Sequence, residues 1–134
     1  AILGCAEAVR RMSTNHGGNG GSIVNVSSVA SRLGGAGNYV DYAATKGGID
    51  SLTIGLAQEV AGEGIRVNGV RPGVIDTDIH NDLGDEPGRV ARLGATVPAK
   101  RAGTADEVAE TIVWLCSDAA SYVTMSLMEV SGGR

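Results

Sequence analysis

Phenylalanine is absent from this 134-residue sequence, and the other aromatic residues are few: one tryptophan and three tyrosines. The core must therefore be built from alanine, valine, isoleucine and leucine, whose small size suits helices packed closely on a sheet. No apolar run approaches the roughly 20 residues that cross a bilayer. No basic segment followed by an apolar one opens the sequence either, so we expect neither a membrane partner nor a secretory signal.

Positive charge is also scarce. Eleven basic residues against 15 acidic ones give a net charge of −4, whereas nucleic-acid scaffolds usually carry a basic stripe, so we expect no nucleic-acid partner. The two cysteines, Cys5 and Cys116, have neither CxxC nor Cys/His spacing. We predict that both are small buried side chains in a reducing, cytoplasmic compartment, with no disulfide and no metal role.

Glycine is abundant instead, with 21 residues, and it separates segments of helical and strand-like pattern. In chain order the patterns predict a helix over 2–15, a strand over 22–28, a helix over 40–61, a strand over 65–71, a short helix near 88–93, a helix opened by a capping box at Thr104, and a strand over 122–130. This alternation implies right-handed crossovers and a mostly parallel sheet. The predicted fold class is therefore α/β: one partial domain over residues 1–134, the C-terminal half of a doubly wound parallel-sheet Rossmann fold with about three strands and flanking helices.

A serine, a tyrosine and a lysine form the strongest candidate site. Ser28 closes the first predicted strand at its carboxyl end, where open α/β sheets bind their ligands. Tyr42 and Lys46 are four residues apart at the start of the next helix, which stacks them on one face. Because an ammonium beside a phenol favours the phenolate, Tyr42 could exchange a proton with an alcohol oxygen that Ser28 hydrogen-bonds.

Two neighbouring residues compete for these roles. Tyr39 is a second phenol, but the residue four positions later is Ala43, so it lacks the cation. Ser27 is a second hydroxyl, and because side chains alternate along a strand, Ser27 and Ser28 face opposite sides. The sequence leaves the choice between the two serines open.

Motifs along the whole chain resemble the short-chain dehydrogenase/reductase family, in its classical branch of glucose-dehydrogenase-like and acyl-carrier-ketoreductase-like members. In the family's order, the matching segments are IVNVSS at 23–28, YAATKGG at 42–48, GIRVN at 64–68, RPGVIDT at 71–77, SYVT at 121–124 and VSGG at 130–133. The resemblance is to the C-terminal half of a family chain. It implies that the N-terminal dinucleotide-binding half, with the residue that selects NAD or NADP, is absent from this sequence.

The resemblance implies a role for each matching residue. Tyr42 would be the catalytic acid and base, Lys46 would assist it and bind the nicotinamide ribose, and Ser28 would orient the substrate oxygen. The cofactor, NAD or NADP, would also contact a segment after the second strand, namely Pro72, Gly73, Val74, Ile75 and Thr77. Residues 78–101 would form a lid over the substrate, which agrees with their polar composition.

Two features depart from simple expectations. Met125 stands where the family usually has glycine, and its side chain could disturb the last strand or a subunit contact. Oxygen and nitrogen ligands also occur in and just before the predicted lid, at Asp76, Asp78, His80 and Asp82. They lack a His pair or a His-Glu motif at metal-binding spacing, so we predict a solvated lid and no metal site.

The sequence thus predicts an NAD(P)-dependent oxidoreductase that transfers a hydride between nicotinamide and a secondary alcohol or ketone. Its partners would be a small alcohol or carbonyl substrate and further copies of itself, as a homodimer or homotetramer, because in the family the helices at 2–15 and 40–61 pair across an interface. The alternative is a catalytically incompetent C-terminal fragment that acts only as an oligomerising half domain. Dinucleotide binding would distinguish the two.

Overall fold

The computed structural model describes residues 1–79 and 88–134. Within them the helices and strands are, in chain order, α1 (Ile2–Met12), β1 (Gly21–Val26), α2 (Ala30–Leu33), α3 (Val40–Val60), β2 (Ile65–Pro72), β3 (Ile75–Asp76), α4 (Arg89–Thr96), β4 (Gly103–Thr104), α5 (Ala105–Cys116) and β5 (Leu127–Val130). Short 3-10 helices follow α1, α3 and α5. None of the helices in these described stretches is long and apolar enough to cross a membrane.

Three parallel strands form the main sheet, in the order β1–β2–β5. The register pairs Val26 of β1 with Val70 of β2, and Pro72 of β2 with Val130 of β5. Parallel neighbours need crossover connections, and α3 and α5 supply them. The α/β class and the three-stranded parallel sheet predicted from the sequence are confirmed, and the carboxyl ends of all three strands meet at one edge.

Helices cover both faces of this sheet, as parallel sheets require. On one face α1 and α3 enclose a cluster of buried aliphatic residues, Ala57, Val60, Ile65 and Val67. On the other face α5 encloses a second cluster, Val70, Val108 and Leu115. Side chains alternate along β2, so the same strand contributes to both clusters.

The first predicted strand is shorter in the structure. β1 ends at Val26 instead of residue 28, and the Ser28 hydroxyl accepts a hydrogen bond from the Ala30 amide at 3.1 Å, in a turn just before α2. The sequence patterns do not predict the one-turn helix α2. Local hydrogen bonds from a serine side chain to the backbone compete with strand pairing and have no periodic signal.

The last predicted strand is also shorter, since β5 begins at Leu127 instead of residue 122. In the segment before it, side chains replace part of the ladder to β2. The Thr124 hydroxyl accepts from the Val67 amide at 3.0 Å, and the Asn68 side chain donates to the Val123 carbonyl at 2.8 Å. The strand-like pattern therefore marks a segment that is held against β2 through its side chains.

Helix α1 ends at Met12 instead of residue 15. Ser13 has an extended backbone, with ψ of 130°, and its hydroxyl accepts from the Asn15 amide, so a separate 3-10 helix follows. The helical spacing of Ile2, Ala6, Val9 and Met12 predicts that these residues form the apolar face of α1. This prediction is only partly right, because Ile2 is 70% exposed while Cys5 is buried.

The prediction of two buried cysteines is right for Cys5 and wrong for Cys116. Cys5 packs on β1, with its thiol 3.5 Å from the Asn25 side-chain oxygen. Cys116 is exposed at the end of α5, because Leu115 takes the buried position there. A helix buries only part of its circumference, so an apolar residue beside the buried stripe remains outside.

The buried face of α3 also differs from the sequence pattern, which predicts an apolar stripe of Ile49, Leu52, Leu56 and Val60. Only Val60 is buried, and the other three are half-buried. The buried positions of α3 are mostly small or polar: Ala43, Asp50, Thr53, Ala57 and Val60. Small side chains let the helix axis approach β2 closely, which an apolar periodicity does not reveal.

Candidate active site

The two candidate serines lie in different environments at the carboxyl end of β1. Ser27 is 2% exposed, and its hydroxyl donates its one proton to the Lys46 carbonyl at 3.2 Å. Ser28 is half-buried, and its oxygen accepts from the Ala30 amide. A hydroxyl has one donor and two acceptor positions, so Ser28 keeps its proton for another acceptor, whereas Ser27 uses its own inside the fold.

Tyr42 and Lys46 lie on the first two turns of α3, and their side chains meet. The Lys46 ammonium is 5.6 Å from the centre of the Tyr42 ring and donates to the Val26 carbonyl at 2.9 Å. This hydrogen bond holds the ammonium at the end of β1, two residues before Ser28. Tyr42 is 43% exposed, so a ligand can reach its ring and hydroxyl.

Tyr39 contacts Tyr42 edge to face, with ring centres 6.5 Å apart. The prediction that Tyr39 lacks a cation is wrong, because Arg89 of α4 lies 5.9 Å from the centre of its ring and donates to its hydroxyl. Spacing along α3 could not show this contact, since Arg89 is 50 residues away in sequence. By contrast, the Tyr42 hydroxyl has no hydrogen-bond partner among residues 1–79 and 88–134.

The predicted nicotinamide segment begins where β2 ends. The Pro72 carbonyl accepts from the Val29 amide at 3.1 Å, and the Gly73 amide donates to the Val130 carbonyl at 3.0 Å. A Cβ on Gly73 would lie 2.8 Å from the Ser131 Cα, so only glycine permits this close approach. The segment is thus hydrogen-bonded to Val29, the residue after Ser28, and to the last residue of β5.

The rest of the segment enters a second, two-stranded parallel sheet. Val74 is buried, and its carbonyl accepts from the Gly103 amide at 2.9 Å. Ile75 then pairs with Gly103 in the β3–β4 ladder, for which the sequence shows no strand pattern. Thr77 follows this ladder and is exposed.

The polar groups at this edge fit the nicotinamide-ribose end of a dinucleotide. An ammonium has three donors, and within the described residues Lys46 uses one of them, on Val26, so two remain for ribose hydroxyls. A phosphate site would need a glycine-rich turn ahead of a helix N-terminus. The glycines at Gly34, Gly35 and Gly37 precede α3 but lack the GxGxxG spacing.

Four charged side chains on α2, α3, β2 and β5 form a cluster that the sequence patterns did not predict. Arg71 donates twice to one carboxylate oxygen of Asp50, from Nε at 3.1 Å and from Nη2 at 2.8 Å. Arg71 also lies 3.7 Å from Glu129. Arg32 binds both oxygens of Glu129, at 2.8 and 3.3 Å. We call Arg32, Asp50, Arg71 and Glu129 the charged cluster.

The charge state of Asp50 reflects this environment. Burial raises the pKa of the Asp50 carboxyl, but hydrogen bonding, chiefly by Arg71, more than offsets burial and leaves the pKa below its ordinary value of 3.8. The signal in the sequence was an aspartate within the apolar helix α3 together with an arginine directly before Pro72, because buried charges need partners.

The predicted lid lies only partly within the described residues. His80 and Asp82 fall in the stretch 80–87, outside the description, and Asp76 and Asp78 are exposed. Across residues 1–79 and 88–134, no group of three or more His, Cys, Asp or Glu side chains could hold a metal ion.

A parallel sheet that presents Ser28, Tyr42 and Lys46 beside a proline-glycine turn at its carboxyl edge places the chain among doubly wound α/β domains. The family follows from comparison with known proteins. A family model described as "Enoyl-(Acyl carrier protein) reductase" matches residues 1–134, and the chain belongs to the short-chain dehydrogenase/reductase family.

Three curated proteins show the extent of the sequence similarity. "Uncharacterized oxidoreductase YgfF" of Escherichia coli (strain K12) is 61% identical over 133 residues, which are 99% of this chain and 53% of that protein. "Glucose and ribitol dehydrogenase homolog" of Oryza sativa subsp. japonica is 45% identical over 94% of this chain and 42% of its own length. "3-oxoacyl-[acyl-carrier-protein] reductase FabG" of Pseudomonas aeruginosa is 44% identical over 84% of this chain and 44% of that protein. The chain spans about half the length of the curated relatives it matches.

Solved structures show the same likeness. A short-chain dehydrogenase/reductase of the glucose/ribitol dehydrogenase type from Brucella melitensis superposes with a TM-score of 0.74 at 41% identity, over 84% of this chain and 44% of that one. A putative betaketoacyl-ACP reductase superposes with a TM-score of 0.70 at 38% identity, over 84% of this chain and 46% of that one.

Proposed function

We propose that the protein transfers hydride between a nicotinamide cofactor, NAD or NADP, and a secondary alcohol or ketone in the cytoplasm. The observation that carries the proposal is the position of the Lys46 ammonium, 5.6 Å from the Tyr42 ring and hydrogen-bonded to the last carbonyl of β1. The named relatives include a glucose and ribitol dehydrogenase homolog and 3-oxoacyl reductases, whose substrates carry such groups.

Tyr42 is the proton donor and acceptor in this proposal. Its exposed hydroxyl has no competing hydrogen bond within the described residues, and the phenolate that forms when a carbonyl is reduced carries a charge opposite to that of the nearby Lys46 ammonium. In the reverse direction the phenolate takes the proton of the alcohol. Because Lys46 is fixed on Val26, its charge stays beside the phenol throughout.

Ser28 orients the reacting oxygen. The Ala30 amide uses one of its two acceptor positions, so the hydroxyl can donate its proton to a substrate carbonyl or accept from an alcohol at the other acceptor position. When bound, the nicotinamide supplies or accepts the hydride. Lys46 would bind its ribose, and its ring would be held by the backbone of the segment after β2: Pro72, Gly73, Val74, Ile75 and Thr77.

The proposal is tested by comparing the Tyr42→Phe and Tyr39→Phe variants, each made in the whole protein as it is expressed in its own cell. The assay follows reduced-nicotinamide absorbance with a panel of sugar alcohols, simple ketones and 3-oxoacyl thioesters. Loss of a general acid lowers turnover by at least about a hundredfold, so Tyr42→Phe should be inactive while NADH or NADPH still binds. Tyr39→Phe should keep most of the activity. Retained turnover in Tyr42→Phe would refute the role assigned to Tyr42.

The other candidate function, an oligomerising half domain without catalysis, is favoured by the apolar side chains that α1 and α3 expose. Among them Leu3 is 86% exposed and Val40 is 62% exposed. Titration with NADH and NADPH decides between the two functions. Binding that requires Lys46 supports the oxidoreductase, and self-association without any dinucleotide binding supports the half domain.

A further inference from the structure

The charged cluster joins elements that lie next to the candidate site. Arg32 lies on α2, four residues after Ser28, and Asp50 lies on α3 with Tyr42 and Lys46. Arg71 lies at the end of β2, and Glu129 is its register partner on β5. The helix that carries Tyr42 and Lys46 and the strand that ends at Pro72 are therefore joined through one ionic network.

We propose that the buried ion pair of Asp50 and Arg71 positions the Tyr42–Lys46 face of α3 against the turn at Pro72–Val74, and that both are positioning residues for proton and hydride transfer. The inference rests on the proposed function. Neither side chain is assigned contact with substrate or cofactor.

On the helix side, Asp50 is coupled to Lys46 over a short distance along α3. Asp50 is four residues after Lys46, so the two side chains lie on one face of α3, one turn apart. Ser27 makes a second contact with this part of α3, because its hydroxyl donates to the Lys46 carbonyl. A sideways movement of α3 at Asp50 would therefore also move the Lys46 ammonium.

On the strand side, Arg71 is coupled to the turn at Pro72–Val74 over a still shorter stretch of chain. Arg71 directly precedes Pro72, whose ring fixes its own φ, and Gly73 is held against Ser131 by close backbone approach. The backbone between Arg71 and Gly73 therefore has little rotational freedom, so a change in the orientation of Arg71 also moves the turn. Glu129 lies 3.7 Å from the Arg71 guanidinium and is itself bound by Arg32, so the cluster is electrically balanced with two charges of each sign.

The ion pair is better suited to fixing geometry than to adding stability. Asp50 is 6% exposed, and the Arg71 side chain is 19% exposed. Desolvation offsets much of the attraction of such buried pairs, and apolar replacements of both partners often keep or raise stability. Two donors of a planar guanidinium that converge on one carboxylate oxygen nevertheless define a direction and a distance, which an apolar contact does not.

This difference provides the test. The single variants Asp50→Asn and Arg71→Lys, and the apolar double variant Asp50→Leu with Arg71→Met, are compared with wild type in the protein as the cell makes it. Misplacement of reacting groups by about 1 Å costs on the order of a hundredfold in rate. We therefore expect kcat to fall by at least about tenfold in all three, with KM for the dinucleotide changed by less than about threefold.

The apolar double variant separates positioning from mere stability. It should recover the thermal unfolding temperature of the wild type while kcat stays low. If kcat returns together with the unfolding temperature, or if Asp50→Asn turns over like wild type, the inference is wrong. Glu59→Gln is the matched control, because it removes an exposed carboxylate at the far end of the same helix, and its kcat should equal that of wild type.

A second measurement does not depend on activity. Hydrogen exchange at the Val29 and Gly73 amides should be at least about fivefold faster in Asp50→Asn, since those amides hold the turn to its neighbours. Unchanged exchange at both amides would overturn the inference even if wild-type protein shows no turnover. Absence of turnover in wild type would by itself count only against the proposed function.

Discussion

At the scale of single residues, hydrogen bonding separates side chains of the same chemistry. Ser27 and Ser28 are neighbours, but the first donates into the fold and the second keeps its proton. Tyr39 and Tyr42 touch, but only the first is bonded by a guanidinium. The YxxxK spacing favours Tyr42 in the proposed mechanism, and the partner of each hydroxyl favours Ser28 over Ser27.

Asp50 gives a residue-scale prediction of pH dependence. Its pKa in the folded protein is below the ordinary 3.8, so the stabilisation from its ionised form is present above about pH 4 and is lost as the pH falls through the folded pKa. Asp50→Asn should lower the free energy of unfolding by about 2 kcal/mol at neutral pH. Urea unfolding between pH 2 and 7 would show this difference shrinking towards acid; a difference that does not vary with pH would contradict the assignment.

Met125 gives a second prediction. Its φ of 63° is in the left-handed region, which costs a residue with a Cβ about 1–2 kcal/mol, and its amide is held by the Val67 carbonyl at 2.7 Å. Met125→Gly should raise the free energy of unfolding by about 1 kcal/mol after the greater chain entropy of glycine is counted. Met125→Ala keeps the Cβ and serves as the control; equal stability of the two variants would show that the backbone is not strained.

At the scale of elements, α5 begins at a capping box. The Thr104 hydroxyl accepts from the Glu107 amide at 3.2 Å, and the Glu107 carboxylate accepts from the Thr104 amide at 2.8 Å. Hydrogen bonding by Arg101, followed by the Thr104 amide, lowers the pKa of Glu107 to about 2. Thr104→Ala should cost about 1 kcal/mol in urea unfolding. Thr104→Ser should cost little, and a loss equal to that of alanine would argue against the cap.

The capping box, the strand pattern of β2 and the long helix α3 were predictable because their signals are local: a residue type at a fixed offset, or an apolar periodicity. The β3–β4 ladder was not, since it pairs Ile75 with Gly103 across 28 positions of irregular sequence. The charged cluster was missed for the same reason. Asp50 and Arg71 are 21 positions apart, and only the packing of α3 on β2 brings them together.

At the scale of the whole molecule, the candidate active site lies at one edge of the sheet, and the helices on one face expose apolar side chains. Ile2 and Leu3 on α1 and Ile54 on α3 are all exposed, and exposed apolar patches commonly mark association surfaces. This arrangement supports the proposal of a homodimer or homotetramer.

Association is tested by placing a charge on that face. Leu3→Glu should lower the mass measured by sedimentation equilibrium, because a buried interface does not accept an unpaired carboxylate. Asn15→Glu adds the same charge to an exposed polar position beside α1 and should leave the mass unchanged. A wild-type protein that sediments as a monomer would contradict the proposal.

The central claim is that Tyr42, Lys46 and Ser28 serve hydride transfer. Its most direct test is mass spectrometry of the alcohols formed when the protein is given NADH or NADPH deuterated at the transferable position together with a panel of ketones. We predict that wild-type protein places deuterium on the carbinol carbon and that Tyr42→Phe forms no labelled alcohol although it still binds the dinucleotide. Absence of label in wild-type products, or undiminished label with Tyr42→Phe, would contradict the claim.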